Sequence, residues 1–143
     1  MATVFDVAKY ILENRGRMST WKLQKLCYYC QAWHYTWTEH PLFEQKFEAW
    51  RNGPVCRELF NMHQGKFMIG ADDIIGYPEH ITDDERESID AVLDEYGNAE
   101  PYDLRAMTHR EDPWRIARGD LDEDASCDRE ITMESMGAYY GGL

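Results

Sequence analysis

Three groups of side chains combine residue types and spacings that invite chemistry. Cys27, Cys30 and His34 fall at i, i+3 and i+7, so one stripe of a helix would present three soft ligands suited to zinc. Structural zinc asks for a fourth ligand and normally sets a CxxC pair on a turn, whereas cysteine is often buried without any task. Packing is therefore the simpler reading of this stripe. Thr108, His109 and Asp112 bring a hydroxyl, an imidazole and a carboxylate together, but no nucleophile accompanies them, and a histidine at a helix end commonly caps or packs. The sequence holds no GxxxxGK[ST], HExxH or GxSxG, so phosphate-loop, zinc-protease and hydrolase-elbow chemistry have no support, and no cofactor is implied.

The third group suits binding rather than catalysis. Trp50, Arg51 and Asn52 precede the Gly53-Pro54 corner, with Arg57 one turn further on, and tryptophan and arginine dominate the energetics of protein interfaces. The competing reading is that Trp50 fills the core while Gly53 and Pro54 shape a turn. A rival surface lies downstream, where Asp120, Asp122, Glu123 and Asp124 open an acidic run to Glu130. Such a run reads as a solvated loop, as the contact surface for a basic partner, or as a mimic of nucleic-acid phosphates.

Charge and composition narrow the partner. The net charge is −12, but the first 60 residues carry eight Lys/Arg against six Asp/Glu, and the remainder seven against twenty-one. The acidic excess lies wholly in the second half, which disfavours direct binding to nucleic acid there. No apolar run approaches the roughly 20 residues that span a bilayer, and no secretory signal opens the chain, so a cytoplasmic protein without a membrane partner is expected. Four cysteines in that compartment are expected to stay reduced. Twelve of the nineteen aromatic residues lie in the first 60, which places most of the core there.

The elements that must position these residues are mostly helical. Val4, Val7, Ala8, Ile11 and Leu12 recur at helical spacing behind a Thr3/Asp6 capping pair. A long second helix opens at Ser19 or Thr20 and runs to about Thr38, with Leu23, Leu26, Cys27, Cys30, His34 and Trp37 facing the core. Pro54 is expected at the first position of a third helix, which Gly65 closes. A short strand or hairpin is expected near Phe67 to Ile69 and Ile74 to Tyr77. Thr82 and Glu85 cap a helix with Ile89, Val92, Leu93 and Tyr96 on one stripe, ended by Gly97. Helices from Pro101 and from Asp112-Pro113, a loop over the acidic run, and a short capped helix from Met133 to Tyr140 complete the chain. The fold expected is a mainly α, compact single-domain bundle over residues 1–143, with six or seven helices and at most a small β-hairpin.

The order of residues also resembles a known family. Lys22, Leu23, Lys25, Leu26, Tyr28, Gln31 and His34 follow a KLxKLxYxxQxxH helix. Pro41, Leu42, Phe43, Phe47, Ala49, Trp50, Gly53, Pro54, Val55 and Leu59 follow PLFxxxFxAWxxGPVxxxL, with Phe60 where tyrosine is usual. Leu104, Thr108, His109, Pro113, Trp114, Ala117 and Arg118 continue the match. This pattern resembles the Panacea domain of SocA-like antitoxins. The resemblance implies a non-catalytic antitoxin that neutralises a toxin encoded nearby by direct protein contact, or an adaptor that delivers its toxin to a protease. It also implies that the motif residues are structural. Some relatives carry an added DNA-binding domain, for which this chain has no room.

Overall fold

The computed structural model describes residues 1–143. Seven helices run in the order α1 (Val4–Arg15), α2 (Thr20–Thr38), α3 (Arg57–His63), α4 (Asp83–Tyr96), α5 (Pro101–Arg110), α6 (Asp112–Arg118) and α7 (Met133–Gly141). Among them lie β1 (Met18–Ser19), β2 (Phe47–Trp50), β3 (Gly53–Cys56), β4 (Met68–Ile69) and β5 (Glu130–Ile131). The fold is mainly α, with one two-stranded and one three-stranded antiparallel sheet, the latter ordered β3-β2-β5.

Helix α2 is the axis. Its N-terminus is held by Ser19, whose hydroxyl accepts from the Lys22 N–H, and it ends at Glu39, whose φ of 63° reverses the chain before Pro41. It packs against α1, α4, α5, α7 and β3, so it is buried nearly all round from Leu23 to Ala32. That is why polar residues of α2 reach inward to other segments. The Gln31 amide accepts from Leu42 N–H and donates to the Phe43 carbonyl, at 2.7 Å each, and Gln24 does the same for both backbone groups of Cys56. Each glutamine thus replaces a strand partner for chain that would otherwise be buried with open hydrogen bonds. A single cluster of 31 buried apolar residues fills the space between the helices.

The capping boxes at Thr3/Asp6 and Thr82/Glu85 form as their spacing predicts, and Thr132 caps α7. Two expectations fail and a third holds in part. Pro54 does not start a helix: Gly53–Cys56 pairs with Phe47–Trp50 as a tight hairpin, and the helix begins only at Arg57. Pro54 lacks an N–H, which an edge strand does not need, and Gln24 rather than a neighbouring strand takes up Cys56. Of the strand or hairpin expected within residues 67–77, a short strand forms at Met68–Ile69, but it pairs with Met18–Ser19 rather than with residues 74–77. The rest of that stretch is tied down by α1. Lys9 Nζ donates to the Ala71 and Ile74 carbonyls, and the Asp6 carboxylate takes the Tyr77 N–H. Finally, Trp37 leaves the core stripe and is 51% exposed, lining an open groove with Asp84, Glu87 and Ala91 of α4 instead.

Candidate functional site

Cys27 and Cys30 are fully buried free thiols, and burial pushes both up in pKa, which leaves them protonated. His34 turns away from them to share a 2.8 Å hydrogen bond between Nδ1 and Ser88 Oγ. No three His, Cys, Asp or Glu side chains converge as metal ligands would. Thr108 is buried, with its hydroxyl donating to the Arg105 carbonyl, and Asp112 is exposed at the start of α6. The spacing of Thr108, His109 and Asp112 therefore assembles no acid-base cluster.

Strand β2 alternates as a half-buried strand must: Phe47 and Ala49 point inward, and Glu48 and Trp50 outward. On that outer face the Arg57 guanidinium forks onto the Glu48 carboxylate at 2.9 and 3.2 Å. Trp50 Nε1 donates to the same carboxylate at 2.8 Å, and Arg57 lies over the indole 5.2 Å from its centroid. Phe60 meets the indole edge-on at 4.9 Å. Trp50 is thus neither a core filler nor a free anchor but half-buried and held upright by two charged side chains. Arginine donation holds the Glu48 carboxyl below its ordinary pKa against the opposing effect of burial, so the pair stays ionised.

The turn itself, Arg51-Asn52, is fastened from below. His109 Nε2 lies 2.8 Å from the Arg51 carbonyl and its Nδ1 2.7 Å from the Arg105 carbonyl. Burial lowers the pKa of this imidazole more than the two carbonyls raise it. Trp114, tilted against the His109 ring with centroids 3.9 Å apart, donates from Nε1 to the Trp50 carbonyl at 2.8 Å. His109 and Trp114 of the Thr-His and Pro-Trp motifs thus meet the hairpin backbone from α5 and α6. Leu23, Leu26, Tyr28 and Val55 are core residues. Gly53 adopts a φ of 117°, in the left-handed half that side chains avoid, and a Cβ there would stand 2.5 Å from Lys25 Cε.

One arginine joins the two surfaces that look separate in the sequence. Arg118 is 2% exposed, lies over the Trp114 ring, and donates to the Ala49 carbonyl on β2 at 2.8 Å. It also donates to the carbonyls of Asp122, Glu123 and Ala125. The acidic segment is thereby wrapped around a guanidinium fixed to the back of the hairpin, with the side chains of Asp120, Asp122, Glu123 and Asp124 exposed. Trp21, Trp50, Arg51, Arg57 and Phe60 wall one side of an open groove of about 640 Å³, and residues 126–128 wall the other. A second groove, of about 620 Å³, runs along α6, where Ile116 and Leu121 are 65% and 38% exposed beside Glu123. Sequence reasoning missed Trp21 and Leu121 and took Arg118 only as a motif residue, because the place of each shows only once the chain is folded.

Behind the first groove lies a residue without a partner. Lys25 is fully buried, its Nζ makes no hydrogen bond, and the nearest aromatic face is Trp21, with its centroid 5.1 Å away. Burial, with a smaller push from Arg105, lowers its pKa to about 7.

Compared with known protein families, residues 23–115 match the model described as "Antitoxin SocA-like, Panacea domain". The match covers well over half of the chain, and the chain belongs to this family. No curated protein and no solved structure gives a significant match. The family is one of antitoxins, and no helix here is long and apolar enough to cross a membrane.

Proposed function

We propose that this chain neutralises a toxin encoded beside it by binding that toxin directly and without catalysis, through the face built from the hairpin turn, α3 and the loop 119–129. Family membership supports the antitoxin role. The observation that carries the choice of face is the fastening of the acidic loop to the hairpin by Arg118. Arg118 ties the backbone of residues 122–125 to the strand that leads into the turn bearing Trp50, Arg51 and Asn52. The side chains of Asp120, Asp122, Glu123 and Asp124 stand exposed on the same loop as Asp128, which lines the groove with Arg57. Such a face offers aromatic and arginine anchors beside charges that steer a basic partner, and a stable complex on it would bury about 1,200–2,000 Å².

The test is co-expression with the adjacent open reading frame. Growth arrest by the neighbour should be relieved by the wild-type chain and restored by Trp50→Ala combined with Arg51→Glu. Undiminished relief by that variant removes the face from the mechanism. An immunoblot of the toxin separates the two modes: a constant level means inhibition by occupancy, and a falling level means delivery to a protease. Charge reversal across Asp120 to Asp124 should slow association and blunt its salt dependence.

A further inference from the structure

A lysine deep in a protein is normally paired, because an unpaired buried ammonium loses its hydration without compensation. Lys25 has no such pair. The charged group that opposes it is Arg105, and the nearby His63 imidazole is itself held below its ordinary pKa, by burial first and then by Lys25. No carboxylate approaches it, and the Thr108 hydroxyl close to the same spot is already donating to the Arg105 carbonyl. The ammonium lies immediately beneath the hairpin turn: a Cβ on Gly53 would stand 3.2 Å from Nζ. Trp21, half-buried on the first turn of α2, both covers the ammonium and walls the open groove that Trp50 and Arg51 share. A displaced indole would put an unneutralised cation at the end of an aromatic groove.

We propose that this groove is a carboxylate site, in which an aspartate, glutamate or C-terminal carboxylate on a peptide segment of the partner takes Lys25 Nζ as its counter-ion between Trp21 and Gly53. This rests on the partner-binding reading of the same face. Charge selects the class of anion. The protein carries −12 overall and Asp128 stands on the opposite wall, so a polyanion is repelled, while a single carboxylate on an otherwise apolar segment gains the buried cation and the aromatic walls. Gly53 is required there because a Cβ would stand 2.5 Å from Lys25 Cε and 3.2 Å from Nζ, so only glycine lets the lysine lie against the turn.

The experiment follows the Lys25 Cε resonance by NMR in lysine-labelled full-length protein, assigned by its absence from Lys25→Met. The probes are acetyl-Leu-Glu-amide, its isostere acetyl-Leu-Gln-amide, and inorganic phosphate. A saturable shift with the glutamate peptide, at least about ten-fold weaker with the other two, is expected. An equal response to the glutamine peptide, an equal response to phosphate, or no response at all overturns the proposal. The co-expression assay separates this inference from the reading beneath it. If Lys25→Met loses relief of growth arrest as Trp50→Ala with Arg51→Glu does, both stand. If Lys25→Met keeps relief while that double variant loses it, the face holds and the carboxylate site falls. If both variants keep relief, the face itself is wrong.

Discussion

Replacing Lys25 by methionine should make the protein more stable, and more so at lower pH. The substitution keeps the length of the apolar stem and removes only the ammonium. Burial lowers the pKa of that ammonium from an ordinary 10.5 to about 7. At about 1.4 kcal/mol per unit, the charged form costs the folded state on the order of 5 kcal/mol. Contact with the Trp21 face returns part of this, about 1 kcal/mol. Because the folded-state value lies below the unfolded one, the cost is fully present below about pH 7 and fades as pH rises towards 10.5. Urea unfolding of the wild type and of Lys25→Met across that window measures the difference directly. The variant should lead by roughly 2–4 kcal/mol near pH 6.5 and the two should converge near pH 10. A difference that does not change with pH would show that Lys25 is not an uncompensated buried charge, and would remove the physical basis for an anion site beneath the hairpin.

Gly53→Ala should destabilise the protein by about 1–3 kcal/mol, read from the denaturant midpoint, since its φ is strained for alanine and Lys25 occupies the space. Arg118→Met should speed amide exchange through 119–129 and cost about 2 kcal/mol or more, because four carbonyls lose one charged donor. Unchanged exchange would mean that the loop is held by something else. Glu111, where the Tyr29 and Tyr140 hydroxyls donate to one carboxylate oxygen at 2.8 and 2.7 Å, has its pKa raised by burial despite those donors. Its ionisation therefore opposes folding as pH rises through the carboxylate range. Glu111→Gln, which keeps an acceptor, should flatten that fall in stability, and an unaltered pH profile would refute the assignment.

What was legible in the sequence divides by range. The helix stripes and the capping pairs at Thr3/Asp6 and Thr82/Glu85 depend on neighbours three or four residues away, and the fold realises them. Gly53-Pro54 was ambiguous for a physical reason. Proline suits a first helical turn and an edge strand equally well, and the choice is made by pairing with Phe47–Trp50 and by the amide of Gln24, 32 positions away from Cys56. The same holds for Met68–Ile69, whose partner lies at Met18–Ser19 rather than in the next few residues. At the site, Trp50, Arg51 and Asn52 could be singled out by residue type, but their union with the acidic loop depends on Arg118, whose burial nothing local announces. Lys25 reads in any sequence as a solvated charge. Only its enclosure by Trp21, Gly53 and Thr108 shows otherwise.

The claim that the hairpin and acidic loop form one toxin-binding face is tested most directly by hydrogen exchange on this chain alone and in complex with the product of the adjacent reading frame. Slowed exchange confined to residues 50–60 and 119–129 is expected. Protection elsewhere with both segments unchanged, or no complex at all, would contradict it.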